Sequence, residues 1–386
     1  MNCQDNFTVP EEILEYLCEK GLDALPQVIR TLINESMIIE RNKHMGVQPY
    51  ERSPERRDRA NGFKDKTVKT RMGEITFSVP QVRDGEFYPQ ALEKGLRSER
   101  ALKLAVAEMY VQGVSTRRVE AVVEKLCGFS VSSSQVSRAA AELDEILGKW
   151  RTRELGRFGY LYLDARYEKV RRDGQVRDAA ILIASGVNED GKREVLGVSV
   201  AISEREVHWR EFLESLVKRG LCGVRLITSD DHSGLKAARK AVCGGIPWQR
   251  CQFHLQQNAA SYVPKIEMKS EVASDIRSIF NARDRSEAEA LLKKTVEKYR
   301  QTASRLSSWM EENIPEGLTA FSFPESHRRL IRTTNGLERV NKEVKRRTRV
   351  VGLFPNEESC LRLVSAVLME ISDDWQTGKT YLTFNE

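Results

Sequence analysis

The chain has no run approaching the roughly 18 consecutive apolar residues of a membrane-spanning helix, which excludes an integral helical membrane protein. Cysteine is scarce: seven in 386 residues, at positions 3, 18, 127, 222, 243, 251 and 360. An odd, scattered set does not form a disulfide framework, and it points to reduced thiols in the cytosol. The first residues, MNCQDNFTVPEEILEYL, are acidic and lack the basic-then-apolar order of an export signal, so an exported protein is not expected. No internal repeat or low-complexity tract interrupts the chain. The formal net charge of +6 is too small to name a partner.

Charge placement is more informative than its total. Arg328 to Arg349 carries nine Lys/Arg against two Glu, and Arg41 to Arg71 carries ten against four acids. The remainder of the chain is therefore acidic on balance. One basic run is most simply a solvated face, but two such runs are the electrostatic footprint of a polyphosphate binder.

Residues 10–45 read as two helices interrupted around Gly21 to Pro26. Residues 46–66 read as a basic loop or arm, and Lys66 to Val82 as a hairpin about Met72-Gly73. Residues 98–150 form the clearest helical block. Leu102, Ala105, Val106 and Met109 recur at helical spacing, as do Val119, Val122, Val123 and Leu126. Gly113 and Gly128 end helices, Ser115 caps one, and Ser132 with Gln135 forms a capping box for a third. That third helix carries Val136, Ala140, Leu143, Leu147 and Trp150 in one seam. Three short helices with tight turns are the layout of a helix-turn-helix unit, which places Ser133, Ser134, Gln135, Ser137 and Arg138 at the start of a recognition helix. A plain helical bundle, or a third helix that only dimerises, is the alternative.

From residue 157 the pattern changes to strands. Phe158–Val170, Asp178–Gly186 and Arg193–Ile202 are β-rich runs with turns at Asp173-Gly174 and Asp190-Gly191. A helix (His208–Lys218), a strand (Val224–Ser229), a helix (Ser233–Val242) and a strand (Trp248–Phe253) follow. Three antiparallel strands followed by helix–strand–helix–strand is the order of an α/β ribonuclease-H-like domain. Residues 255–325 are too long for a connection and read as a helical insertion. The expected divisions are 1–97 (helices, arm, hairpin), 98–150 (helix-turn-helix-like DNA-binding region), 157–254 (first part of the catalytic core), 255–325 (insertion) and 326–386 (its C-terminal part with a basic helix).

Within this layout Asp164 sits in an otherwise apolar and aromatic strand, YLYLDARY, where a charge is costly unless paired or bound to metal. Asp230 lies at the end of a later strand, and Glu338 on a helix whose Leu337, Val340 and Val344 can pack on the sheet. Three such carboxylates can hold two Mg²⁺ ions, with Mn²⁺ as a substitute, for phosphodiester chemistry. Asp231 and Glu343 compete for these roles. Side chains alternate along a strand, so only one of Asp230 and Asp231 faces the site. Glu343 is turned about 140° from Glu338 on a helix. Cys251 and His254 form a C-x₂-H motif. A structural zinc site needs four ligands, and His232, Cys243 and Cys222 are too irregular to complete one, so packing or DNA positioning is the favoured role. Trp209 and Trp248 are most simply core aromatics, with stacking on a flipped base as the alternative.

The stretches SDDHSGLKAARK, WQRCQFHLQQN and TTNGLERVNKEVKRRTRVVGLFPN, with PYERSPERRDRANGFKDKTVKTRMGEITFSVPQVRDGEFYP and YLYLDARYEKVR, resemble bacterial insertion-sequence transposases of the Mutator-like class over roughly residues 45–370. The resemblance implies a ribonuclease-H-like domain with an Asp-Asp-Glu triad that cuts and rejoins DNA at the terminal inverted repeats of an element. Carried over residue by residue, the triad is Asp164, Asp230 and Glu338. Arg339, Lys342, Lys345, Arg346, Arg347 and Arg349 are then expected to bring phosphates to the metals. Double-stranded DNA is the expected partner, a homodimer or higher assembly the expected state, and the bacterial cytoplasm, at the nucleoid, the expected location. A domesticated DNA-binding relative without cleavage activity, and a stand-alone nuclease of the same fold, are the alternatives.

Overall fold

The computed structural model describes residues 11–48, 51, 53–54, 56–84, 87–92, 94 and 98–384. Cys3 with the rest of the first ten residues, and arm positions 49, 50, 52 and 55, lie outside the described residues. The protein is mixed α/β with a helical N-terminus. Its chain separates into two compact units: residues up to Tyr110 with Val114–Glu142, and Val111–Gly113 with the chain from Leu143 onward.

In the first unit α1 (Glu11–Lys20) and α2 (Leu25–Met45) are joined by a 3₁₀ turn at Gly21–Ala24. The antiparallel hairpin β1 (Ala60–Thr70) and β2 (Gly73–Val82) follows. Its turn is Arg71-Met72, one residue earlier than expected, and β1 takes in the last part of the segment read as a loop. Val68, Ile75, Phe77 and Val79 alternate onto the face covered by Met37 of α2. Then come α3 (Arg100–Val111), α4 (Thr116–Cys127) and α5 (Ser133–Ala141). The Ser115 side chain accepts from the Arg118 amide, Gly128 closes α4 in the left-handed region, and the Ser132–Gln135 capping box forms at α5.

The third helix does not run unbroken to Trp150. It stops after Ala141, and a separate helix, α6 (Asp144–Thr152), begins three residues later. The reason is that its apolar seam serves two cores. Val136 and Ala140 are buried in the first unit. Leu143 and Leu147 pack in the second, with Ala366 and Met369.

The second unit is built on β3 (Phe158–Arg172), β4 (Gln175–Asn188), β5 (Arg193–Ala201), α7 (Glu206–Lys218), β6 (Leu226–Ser229), α8 (Ser233–Cys243) and β7 (Trp248–Arg250). The sheet order is β5-β4-β3-β6-β7, with β5, β4 and β3 antiparallel, and β3, β6 and β7 parallel. Leu161, Leu163, Leu182 and Leu196 face Trp209, Phe212 and Leu216 of α7 and Leu235 of α8. By strand alternation Tyr160, Tyr162 and Asp164 face the other way. The strand expected through Phe253 ends at Arg250, because β7 pairs with three residues of β6, Ile227 to Ser229, before the chain turns helical.

Helices α9 (Gln252–Ala260), α10 (Met268–Phe280), α11 (Arg285–Tyr299) and α12 (Ser304–Asn313) follow and share a core that includes Ile276, Leu292, Val296 and Met310. Then α13 (Glu325–Ile331), α14 (Asn335–Thr348) and α15 (Glu357–Thr377) return to the sheet. Tyr162 Oη donates to the Leu330 carbonyl and Thr228 Oγ1 to that of Ile331, which fixes the approach to α14.

The C-terminal segment is strapped to the β4–β5 turn: the amides of Tyr381 and Leu382 donate to the Gly191 carbonyl at 2.9 and 3.2 Å. Gly191 has φ +73°, and a Cβ there would lie 1.6 Å from the Leu382 carbonyl oxygen. Gly191→Ala should therefore cost more than about 1 kcal/mol, or about 2–4 °C of thermal midpoint per kcal/mol, and expose the strap to limited proteolysis. An unchanged midpoint and cleavage pattern would contradict this docking.

Candidate active site and nucleic-acid interface

Asp164 and Asp230 meet through sheet register. Tyr162 of β3 is paired in parallel with Thr228 of β6, so each aspartate stands two residues beyond that pair, level with the other on neighbouring strands. Asp164 is 7% exposed. Its Oδ1 accepts from the Ala165 amide at 2.9 Å, and its Oδ2 from Asn341 Nδ2 of α14 at 2.8 Å. Burial, followed by repulsion from Asp230, pushes its pKa up to about 7, against the pull of His254; Glu338 adds a smaller push. Asp230 and Glu338 are thus both near enough to act on the Asp164 charge.

The competitors are engaged elsewhere. Asp231 accepts from Lys236 Nζ at 2.9 Å and lies 3.0 Å from Arg250 Nη1, in a cluster that includes Glu316. Glu343 is held to about 2 chiefly by its hydrogen bonds to Arg346, against the opposing effect of burial and with a lesser contribution from Arg347. Glu338, in the first turn of α14, has a buried Oε1 with no hydrogen-bond partner.

Cys251 is buried at the start of α9, where its sulfur accepts from the Thr334 amide and hydroxyl, each at 3.3 Å. His254 Nε2 is 4.0 Å from Glu338 Oε1. The neighbouring Cys251 sulfur raises the His254 pKa to about 9 against the effect of burial, helped by Asp164 and Asp230. Cys251, His254 and Glu338 offer ligand atoms within 4.8 Å of one another, a group able to hold a metal ion and the one such group among the described residues. His232, Cys222 and Cys243 do not join it. The three carboxylates also fit a hard divalent cation: a buried carboxylate with its pKa raised and a buried oxygen without a donor are what an oxygen-seeking ion would satisfy.

Asn341 and Thr334 are site residues that sequence reasoning missed. Asn341 lies three residues after Glu338, on the same helical face, and that spacing was the available signal.

On α5 the side chains of Ser133, Ser134, Ser137 and Arg138 are exposed, while Gln135 Oε1 is occupied by the Ser132 amide at 2.8 Å. On α14 Arg339, Lys342, Lys345 and Arg346 are exposed, as is Arg349 just past its end, with Arg346 paired to Glu343. Arg347 does not belong with them. It is 5% exposed, and its guanidinium forks onto Glu370 at 2.6 and 2.8 Å and onto Glu343 at 2.9 Å. Helical periodicity explains this, since Arg347 follows Val340 and Val344 at i+7 and i+3 on the buried stripe. Trp209 is fully buried, and the ring of Trp248 is covered by Lys236 and Arg239, so both serve packing. No helix among the described residues is long and apolar enough to cross a membrane.

The family model for "Transposase, Mutator family" matches residues 9–378. A transposase for insertion sequence element IS406 of Burkholderia multivorans is 59% identical over 371 residues, covering 96% of both chains. A transposase for element ISRM5 of Rhizobium meliloti is 43% identical, covering 94% of this chain and 92% of that one. A transposase for element IS256 in transposon Tn4001 of Staphylococcus aureus is 34% identical, covering 99% of this chain and all of the other. Matched by the family model and by relatives along nearly its whole length, the chain belongs to the Mutator family of transposases.

Proposed function

We propose that this transposase cuts and rejoins DNA at the terminal inverted repeats of an insertion sequence, using Asp164, Asp230 and Glu338 as its catalytic carboxylates. The observation that carries the reading is the level placement of Asp164 and Asp230, with Asp164 hydrogen-bonded to Asn341 of α14, the helix on which Glu338 keeps a buried oxygen without a hydrogen-bond partner. The mixed sheet, three antiparallel strands continued by two parallel ones, supports a ribonuclease-H-like catalytic domain. The separate core of α9 to α12 supports reading them as a helical insertion.

The three carboxylates would hold two Mg²⁺ ions, or Mn²⁺ in their place, which supply stabilisation of the attacking and leaving oxygens of an in-line phosphoryl transfer. Asn341 holds one oxygen of Asp164, leaving its orientation set before DNA arrives. In the first step water attacks a phosphodiester, the P–O3′ bond breaks, and the element end keeps a 3′-hydroxyl. In the second step that hydroxyl attacks a target phosphodiester, whose own 3′-oxygen leaves. Neither step needs a covalent enzyme–DNA bond.

Arg339, Lys342, Lys345 and Arg346 on the exposed face of α14, with Arg349 just past its end, would bind phosphates without reading sequence. Repeat recognition falls to α3–α5, with Ser133, Ser134, Gln135 and Arg138 at the leading end of α5, aided by the 41–71 arm. Joining two ends calls for at least a dimer.

The test is strand cleavage and joining on labelled element-end DNA. Expected are a free 3′-hydroxyl product that needs Mg²⁺, and loss of specific binding when the repeat is scrambled. Lys345→Ala should weaken binding equally for all sequences and lower the log–log salt slope by about one. Repeat-specific binding without metal-dependent cleavage would overturn the reading in favour of a DNA-binding regulator. Cleavage indifferent to the repeat would favour a nuclease.

A further inference from the structure

We infer that Cys251 and His254 are positioning residues for Glu338: the Cys251 sulfur anchors the start of α14, and the His254 ring faces the carboxylate across a charge contact, which together set Glu338 for the triad. The inference rests on the triad proposed above.

Helix α14 begins without an ordinary cap. Thr334, its N-cap residue, makes no side-chain bond to the helix's own amides. Its amide and hydroxyl instead both donate to the Cys251 sulfur, 3.3 Å away in each case. Cys251 is fully buried, and its own amide donates to the Ser229 carbonyl at 2.7 Å, immediately before Asp230. The next amide, Gln252, donates to the Arg332 carbonyl at 3.0 Å. One residue thus ties together the strand end that carries Asp230, the start of α9, and the helix that carries Glu338.

The second contact, electrostatic and not a hydrogen bond, lies one turn further along both helices. His254 follows Cys251 by three residues and shares its face of α9; Glu338 follows Thr334 by four on α14. Their facing atoms, His254 Nε2 and Glu338 Oε1, are 4.0 Å apart. Without the sulfur, two buried Thr334 donors would lose their acceptor. Without the imidazole, the buried Glu338 oxygen would lose the cationic ring that faces it from α9. Direct ligation of a soft metal is the weaker use of the same atoms, because the sulfur already accepts two hydrogen bonds and a closed site needs four ligands.

The experiment compares the full-length protein with its Cys251→Ala, Cys251→Ser and His254→Asn variants, using two readouts that need no catalysis. The first is amide hydrogen exchange in metal-free protein. Protection at Thr334 and in the first turn of α14 should be lost in Cys251→Ala and largely kept in Cys251→Ser, whose hydroxyl can still accept. The second is Mn²⁺ binding followed by electron paramagnetic resonance without DNA. Half-saturation should rise about 10–100-fold in Cys251→Ala and His254→Asn, with most of the loss recovered in Cys251→Ser. His254→Asn keeps the test open if Cys251→Ala fails to fold. Wild-type Mn²⁺ affinity in His254→Asn overturns the inference. So does a sulfur-to-cobalt charge-transfer band on Co²⁺ addition that disappears in Cys251→Ser, since the pair would then be ligands. If Asp164→Asn leaves Mn²⁺ binding by the wild-type framework intact, the triad fails instead.

Discussion

Asp164→Asn should lower strand cleavage by about 10³-fold or more while making the metal-free protein more stable at neutral and alkaline pH. The loss follows from removing a charged metal ligand, about 4 kcal/mol or more of transition-state stabilisation. The gain follows from the cost of keeping this carboxylate where it is. Its pKa in the folded protein is about 7, raised from 3.8 by burial and then by Asp230. The folded state therefore binds the proton more tightly than the unfolded state does. The associated stability is fully present below about pH 4, falls as pH rises through about 7, and is lost above that; such a shift is on the order of 4 kcal/mol at its upper bound. Asparagine keeps the shape and an acceptor for Asn341 but carries no charge. Thermal midpoints in a chelator between about pH 5 and about pH 9 should therefore decline for the wild type and stay flatter for the variant. Parallel profiles, or cleavage that survives the substitution, would remove Asp164 from the site.

Arg347→Ala and Arg349→Ala should have opposite signatures although the two residues are two apart in one basic run. Arg347 is buried against Glu370 and Glu343. The guanidinium is buried, but Glu370 and Glu343 are 40% and 30% exposed, so its removal costs less than breaking a fully buried pair: about 1.5–3 kcal/mol for the lost hydrogen bonds to charged groups. The thermal midpoint should fall by several degrees, and the Glu343 pKa should rise from about 2 toward the ordinary carboxylate range as this partner is lost. Arg349 is exposed, so its removal should leave the midpoint unchanged and weaken DNA binding with a shallower salt dependence. Equal midpoints for the two variants would contradict the ion pairs of the buried guanidinium.

The correction at Arg347 shows how far local patterns reach. A count of nine basic residues describes a charged segment, but a helix sorts the same residues onto faces. Spacing from Val340 and Val344 carried that information, and charge counting set it aside. The break before α6 is similar. The seam of Val136, Ala140, Leu143, Leu147 and Trp150 is continuous by periodicity, yet it supplies two cores, and periodicity does not say which partner a stripe will meet.

Much was legible because its cause is local. The alternation in FGYLYLDARY specifies a strand with a carboxylate in its middle. The Ser132–Gln135 box starts α5, Gly128 closes α4, and Gly21 with Pro26 breaks the first helical pair. Each depends on atoms within a turn or two of the chain. Tertiary structure decided the rest. Only the parallel register of β3 with β6 puts Asp164 level with Asp230, and only the seating of α14 leaves Glu338 without a donor while Glu343 is claimed by two arginines. Only the approach of α9 to α14 turns a Cys and a Thr 83 residues apart into hydrogen-bonded neighbours. These outcomes depend on how separately formed elements pack across long stretches of chain, because a buried polar atom finds its partner by proximity in space and not by spacing in sequence.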